Sequence, residues 1–371
     1  MNTTLTLTNF IEQFLSRDNF QYAYEKVALK RGCAGTDDET IERFSQNLSA
    51  NLTELRNQVA EGSYQPLPCR QVFIPKLGEK WRELKVPTVR DRIVQQALLN
   101  VLAPVAECQF STVSFAYRPN RSYLDAVQEV IRWRDRGYLW VLDADITQYF
   151  DRIDHQILLR EVRKFIDYTG VLCLIKAWIS IGILTNTGVI PGETGIPQGA
   201  VISPLLANIY LNEFDHHFAN NDSLKLIRYA DDFLILARTE WEIAQAYSQV
   251  EKTLHSLALE LHPRKTKITH FERGFRFLGH GFLDDAIFPL ESPSEMQSEL
   301  EETKEKDEKK KDSEKFLNSP NEQKTERNSS RTFKQQFSQA INYFRRGRTG
   351  NTECVSHKKT LESRDGYTLS D

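Results

Sequence analysis

An α+β fold is predicted for this sequence from three observations. Between residues 71 and 290, apolar runs of strand length alternate with amphipathic helical patterns. Within that stretch, Leu224 to Arg238 alternates around a polar pair, Asp231–Asp232, the signature of an antiparallel hairpin. The flanks are different material. Residues 1–70 read as helical and irregular, and residues 291–332 carry 12 acidic and 9 basic residues with almost nothing apolar.

Taken in order, Val72 to Pro75 reads as a strand and Leu77–Gly78 as a turn. Thr88-x-x-Asp91 has the spacing of a capping box. It opens a helix with Ile93, Val94, Ala97, Leu98, Val101 and Leu102 on one face. Leu139 to Ala144 is an apolar run of strand length. Ser203–Pro204 predicts a helix start with Ser as N-cap and Pro at the first helical position, continuing through Leu206, Ile209, Tyr210 and Phe214. Residues 291–332 are expected to be a disordered charged linker, because so few apolar groups cannot offset chain entropy. Phe333, Phe337, Ile341 and Phe344 fall at spacings of one short amphipathic helix within residues 333–371, followed by Arg345, Arg346 and Arg348.

Composition narrows the function classes. The chain has 371 residues, 48 basic and 51 acidic, a formal charge of −3, and is 40% hydrophobic. A sizeable core follows, and a wholly disordered chain is excluded. Residues 291–371 hold 16 basic and 16 acidic residues, so the body carries the whole −3. A protein that grips nucleic acid by bulk charge is disfavoured, and any such role must rest on placed residues. The five cysteines lack CxxC spacing, which argues against a zinc ribbon or a disulfide framework. No HExxH pattern occurs, and His216–His217 is expected at the surface. Met1 to Phe10 resembles no secretory signal, and no apolar run nears the ~18 residues of a membrane span, so a cytoplasmic protein is expected.

Two places break the apolar strands with carboxylates: Asp143-Ala-Asp145, and Asp231–Asp232 at the hairpin tip. Clustered carboxylates raise one another's pKa unless a cation joins them. Mg²⁺ prefers oxygen ligands and leaves positions for substrate phosphates. Two such ions ~3.5–4 Å apart activate an attacking oxygen and stabilise a leaving one. Taken alone, Asp231–Asp232 reads more readily as a turn of ordinary local hydrogen bonding.

The surrounding segments identify a resemblance. LKRGCAGTDDETIERF (29–44), VFIPKLGEKWRELKVPTVRDRIVQQAL (72–98), VSFAYRPNRSYLDAV (113–127), LDADITQYFDRIDH (142–155), GIPQGAVISPLLANIYLNEFD (195–215), RYADDFLIL (228–236), LELHPRKTKI (259–268) and FRFLGHGF (275–282) are eight segments in one order. Together they resemble the N-terminal, fingers and A-to-E motifs of bacterial reverse transcriptases of the group II intron-like lineage. The resemblance covers about residues 30–290. It implies a right-hand polymerase of fingers and palm, with an antiparallel palm sheet backed by helices and a thumb reduced or absent. Residues 1–70 would be a helical N-terminal and fingers region, and 71–290 the fingers and palm.

The resemblance also assigns residues. Asp145, Asp231 and Asp232 match the metal-binding carboxylates, with the carbonyl of Ile146 beside them. The implied cofactor is a pair of Mg²⁺ ions, with Mn²⁺ as a substitute. Asp143 would point to the same side of its strand as Asp145, but the family places no ligand there. Phe150, five residues after Asp145, matches the steric gate that excludes a 2′-hydroxyl. Lys76 and Arg82 match the fingers cations that hold the triphosphate. Gln198–Gly199 matches the turn that contacts nucleotide and template. Lys265 matches a general acid for the leaving pyrophosphate, with Arg264 and Lys267 close by in sequence.

The implied activity is RNA-directed DNA synthesis on an RNA template, with a DNA primer or product and deoxynucleoside triphosphates as partners and no membrane. A non-catalytic nucleic-acid-binding scaffold is the contrasting reading, and a pure scaffold need not keep these residues. Among the branches, the chain looks most like CRISPR-associated reverse transcriptases, which implies spacer acquisition from RNA within an integrase complex. Intron-encoded, retroelement and defence enzymes are the alternatives. A reduced thumb would imply weak, salt-sensitive duplex binding and low processivity without a partner.

Overall fold

The computed structural model describes residues 7–290 apart from 77–79 and 186; of Lys76 and Lys80 it describes the backbone alone. The expected turn at Leu77–Gly78, the linker 291–332 and the helix and tail in 333–371 lie outside the described residues.

The N-terminal layer is helical. Helices α1 (Leu7–Phe14), α2 (Arg17–Leu29), α3 (Ile41–Ser45) and α4 (Leu48–Glu61) precede the first strand. Ser16 caps α2 by accepting the Asn19 amide. Gly62, at φ 73°, ends α4 in the left-handed conformation that glycine adopts without penalty. These helices bury Phe10, Phe20, Val27 and Leu55 in the main core. Strands β1 (Cys69–Lys76) and β2 (Lys80–Val86) then form an antiparallel hairpin. Helix α5 (Val89–Glu107) begins at Thr88, whose hydroxyl accepts the Asp91 amide. The Asp91 carboxylate in turn accepts the hydroxyls of Thr88 and Tyr64. The predicted apolar face of α5 is present: Ile93, Val94, Ala97, Leu98 and Leu102 are fully buried.

Helix α6 (Tyr123–Arg134) leads into β3 (Trp140–Asp145), followed by α7 (Tyr149–Arg152), α8 (His155–Phe165) and α9 (Thr169–Ser180). Strands β4 (Ile183–Thr185) and β5 (Gly188–Ile190) join the first hairpin, giving a sheet of order β2-β1-β4-β5. Next come α10 (Ser203–Ala219), β6 (Lys225–Tyr229), β7 (Asp232–Ala237), α11 (Glu240–Ser256) and β8 (Lys267–His270). Strands β6, β7, β3 and β8 form the central sheet in that order, every pair antiparallel. Strands β9 (Phe275–Phe277), β10 (His280–Leu283) and β11 (Ala286–Pro289) make a small separate sheet.

The central sheet is covered on both faces. Leu142, Ala144, Phe233 and Ile235 belong to the main core with α10 and α11. Val141, Leu234, Leu236 and Ile227 belong to a second core with α6 and the rings of Phe271, Phe275, Phe277 and Phe282. Double coverage explains why β7 reads as a continuous apolar run, FLILA, instead of alternating.

One prediction needs correcting. Ser203 is not the N-cap of α10: Ile202 holds that position and Pro204 lies in the first turn. The Ser203 hydroxyl donates to the Pro197 carbonyl at 2.8 Å, closing the preceding loop instead of capping the helix.

Candidate active site

The hairpin β6–β7 turns through two residues, since Tyr229 pairs with Asp232 and only Ala230 and Asp231 lie between. Ala230 sits at φ 60°, as tight hairpin turns demand. Across the sheet, Asp145 at the end of β3 pairs directly with Asp232 at the start of β7. Directly opposed residues share a sheet face. Two residues back, Asp143 shares it too. The amide of Ile146 donates to the Asp231 carbonyl at 3.3 Å, tying the end of β3 to the hairpin tip.

Four carboxylates therefore meet two ammonium groups. Lys265 Nζ lies 2.6 Å from Asp145 Oδ2, and Lys267 Nζ lies 3.3 Å from Asp143 Oδ2. The balance is negative, and it shows in the titration. Burial pushes Asp232 up to about 7, and Asp143, Asp145 and Asp231 add to the shift. Asp231 is raised by burial and by Asp145, with Lys265 and Arg82 opposing. Asp143 is raised by burial, with Lys267 opposing. Such a cluster of hard oxygen donors, short of two positive charges, fits a divalent cation. Among the described residues no three His, Cys, Asp or Glu side chains form a ready-made metal cage. Mg²⁺ does not require one, because it binds through one or two carboxylates and takes substrate phosphates and water for the rest.

The hairpin tip is fixed from beneath by Arg228, fully buried on β6. Its guanidinium donates to both Asp215 oxygens at 2.6 and 2.5 Å, to Asn208 Oδ1, to the Ala230 carbonyl and to Ser114 Oγ. All five N–H groups are thus engaged. Burial opposes the charge on Arg228, but Asp215 outweighs it and holds the group above its ordinary value.

Around the carboxylates, the other predicted residues separate into groups. Phe150 lies on α7 with its ring half-buried, edge-on to Tyr149 at 5.6 Å. The Phe150 carbonyl accepts the Ile196 amide at 2.7 Å, so the segment after β3 is tied to the loop before α10. Gly195, at φ 79°, passes so close that a Cβ there would lie 2.8 Å from the Phe150 carbonyl oxygen. Gln198 donates to Asp151 Oδ2 at 3.3 Å, and its carbonyl accepts the Lys85 amide at 2.7 Å. Lys85 also pairs with Asp151 at 3.3 Å. Gly199, at φ 115°, lies against the Lys85 backbone. Gln198 and Gly199 therefore dock the end of β2 onto the segment carrying Phe150. Arg82 is exposed on β2, within electrostatic reach of Asp231. Lys76 ends β1, and its side chain is outside the described atoms.

Sequence reasoning missed two contributors: the Arg228–Asp215 pair and Asp151. Arg228 had a signal, a charge set between apolar residues of the strand KLIRY just before the turn. Asp151 had none, because its partners lie 47 and 66 residues away.

With the site described, its likenesses to known proteins can be set beside it. A family model described as "Reverse transcriptase (RNA-dependent DNA polymerase)" matches residues 74–282. Protein YkfC of Escherichia coli strain K12 is 34% identical over 284 residues, covering 66% of this chain and 74% of YkfC. The group II intron-encoded protein LtrA of Lactococcus lactis is 28% identical over 346 residues, covering 75% of this chain and 57% of LtrA. The chain thus spans little more than half of that relative. Among solved structures, a chain of a partial Cas6-RT-Cas1–Cas2 complex superposes with a TM-score of 0.42 at 27% identity, covering 66% of this chain and 40% of that one.

Proposed function

Because this chain belongs to the reverse transcriptase family of RNA-dependent DNA polymerases, among its group II intron-like members, we propose that it extends a primer 3′ end with deoxynucleotides at the Asp145–Asp231–Asp232 site, using two divalent metal ions. The observation that carries this reading is the direct pairing of Asp145 with Asp232 in a carboxylate cluster deficient in positive charge. Asp145, Asp231, Asp232 and the Ile146 carbonyl would hold Mg²⁺, or Mn²⁺ in its place. Bound there, the ions would activate the primer hydroxyl and stabilise the leaving oxygen. Arg82 and Lys76 grip the triphosphate from the fingers side. Phe150 closes the space a 2′-hydroxyl needs. Gln198 and Gly199 keep the fingers hairpin registered on the palm. Lys265, whose ammonium pairs with Asp145, would donate a proton to the departing pyrophosphate. The test is extension of a DNA primer on an RNA template with Mg²⁺, with Asp231→Ala as control. Extension lost on chelation and in the variant supports the reading; no extension on RNA by the unaltered chain leaves a scaffold role instead.

For the biological setting we infer spacer acquisition from RNA beside an integrase. Support for it is the chain's general resemblance to the CRISPR-associated branch. The match to LtrA across 75% of this chain favours a second reading, an intron-encoded or other retroelement enzyme. Gene neighbourhood separates them: an adjacent integrase gene and repeat array supports the first, and a flanking intron ribozyme the second.

A further inference from the structure

Tyr117 takes no part in the roles assigned above, yet its surroundings single it out. Its backbone lies at φ 60°, a region that bulky L-residues rarely adopt. Strain of this kind persists only where neighbours over-determine it, and here they do. Before it, the Phe115 amide donates to the Arg228 carbonyl at 2.9 Å, and the Ala116 carbonyl accepts Asn208 Nδ2 at 2.8 Å. After it, the buried Arg118 guanidinium donates to the Glu107 carboxylate and to the carbonyls of Ser111 and Ser114. Both flanks are anchored, while Tyr117 as a residue is left 55% exposed.

Register says where that ring is presented. Ser114 bridges Arg228 in parallel. The segment that leads to Tyr117 therefore runs beside the end of β6, where Arg228 also holds the Ala230 carbonyl at 2.9 Å, one residue before Asp231. The electrostatics agree: burial raises the phenol's pKa, Asp231 and Tyr229 raise it further, and Arg82 lowers it. The ring is thus within electrostatic reach of a palm carboxylate and of the fingers cation, the groups assigned above to the metal ions and to the triphosphate. An exposed aromatic held rigidly at that place offers a flat apolar surface, and every base has a face that stacks on one.

We propose that Tyr117 contacts the substrate, its ring packing against the incoming deoxynucleoside triphosphate and setting its affinity. This rests on the polymerase reading of the site. Two measurements test it. In the first, Tyr117→Gly raises KM for the deoxynucleotide about tenfold, with kcat within about twofold, since a stacked base contributes roughly that much. Glycine adopts positive φ without strain, so the same variant melts at or above the unaltered chain's temperature. Tyr117→Phe, which keeps the ring, restores KM. A residue of merely structural role gives the opposite pairing, in which KM worsens only as the melting temperature falls. In the second, 5-iodo-deoxyuridine triphosphate bound to the protein–primer–template complex is irradiated and the crosslink is mapped. A crosslink at Tyr117, competed by dTTP, is expected. No crosslink at Tyr117, or an unchanged KM in Tyr117→Gly, overturns the assignment. Because crosslinking needs no turnover, a chain that binds nucleotide but fails to extend refutes the polymerase reading and leaves this one standing.

Discussion

Asp232 carries the sharpest chemical consequence of the site. Its pKa is pushed up to about 7 by burial and by three neighbouring carboxylates. A carboxyl raised in the folded state favours folding when protonated. That contribution is present below the unfolded value of ~4 and is lost as pH rises through about 7. The metal-free protein should therefore be more stable near pH 5.5 than near pH 8 on account of this group, and Mg²⁺ at pH 8 should restore the difference. Asp232→Asn should stabilise the metal-free form at pH 8 by about 1–2 kcal/mol, discounted because the side chain is partly open to water, and should abolish the response to Mg²⁺. Thermal melts at the two pH values check both statements; a stability that rises from pH 5.5 to 8 without metal contradicts them. Phe150 is a simpler case. Phe150→Ala should increase ribonucleotide incorporation about tenfold or more, and unchanged sugar selectivity would remove it from the role of gate.

At the scale of elements, the hairpin β6–β7 holds the site together. Arg228 anchors the Ala230 carbonyl, one residue before Asp231, and is itself held by Asp215 on α10. Asp215→Ala leaves a guanidinium buried without its counter-charge, which should cost about 3–5 kcal/mol. Chemical denaturation measures it, and a loss below ~1 kcal/mol would show that water or another group takes over. The elements also mark how far the sequence was legible. The hairpin could be read because a polar pair interrupts two apolar runs, and the face of α5 because its 3.6-residue period is regular. The start of α10 was misplaced by one residue, because Ser-Pro is compatible with a cap and equally with a loop whose hydroxyl bonds back to Pro197. Strands β4 and β5 gave no local signal. Each has three residues; β4 pairs with β5 beside it and with β1 from more than a hundred residues away. Of the candidate residues named from the motifs, Lys265 pairs with Asp145 and Arg82 lies within electrostatic reach of Asp231, whereas Asp151, Tyr117 and Arg118 could not be read, since their meaning lies in long-range partners and backbone conformation.

For the molecule as a whole, the formal charge of −3 looked like an argument against a nucleic-acid substrate. The structure changes its meaning. Asp143, Asp145, Asp231 and Asp232 are concentrated at one end of the central sheet, where divalent ions would neutralise them, and the cations that oppose them are Lys265, Lys267 and the more distant Arg82. Charge of this kind is concentrated at one place and not spread for general adhesion, as the proposed metal-dependent site requires. The same two-sided core that makes β7 continuously apolar keeps those carboxylates at the sheet's end. The most direct measurement is single-nucleotide addition to a DNA primer on an RNA template, comparing the unaltered chain with Asp231→Ala across a Mg²⁺ titration. Addition that saturates with Mg²⁺, and falls at least about a thousandfold in the variant, is the predicted result. Equal rates in the two proteins, or addition that persists in excess chelator, would contradict a metal-dependent reverse transcriptase site at these carboxylates.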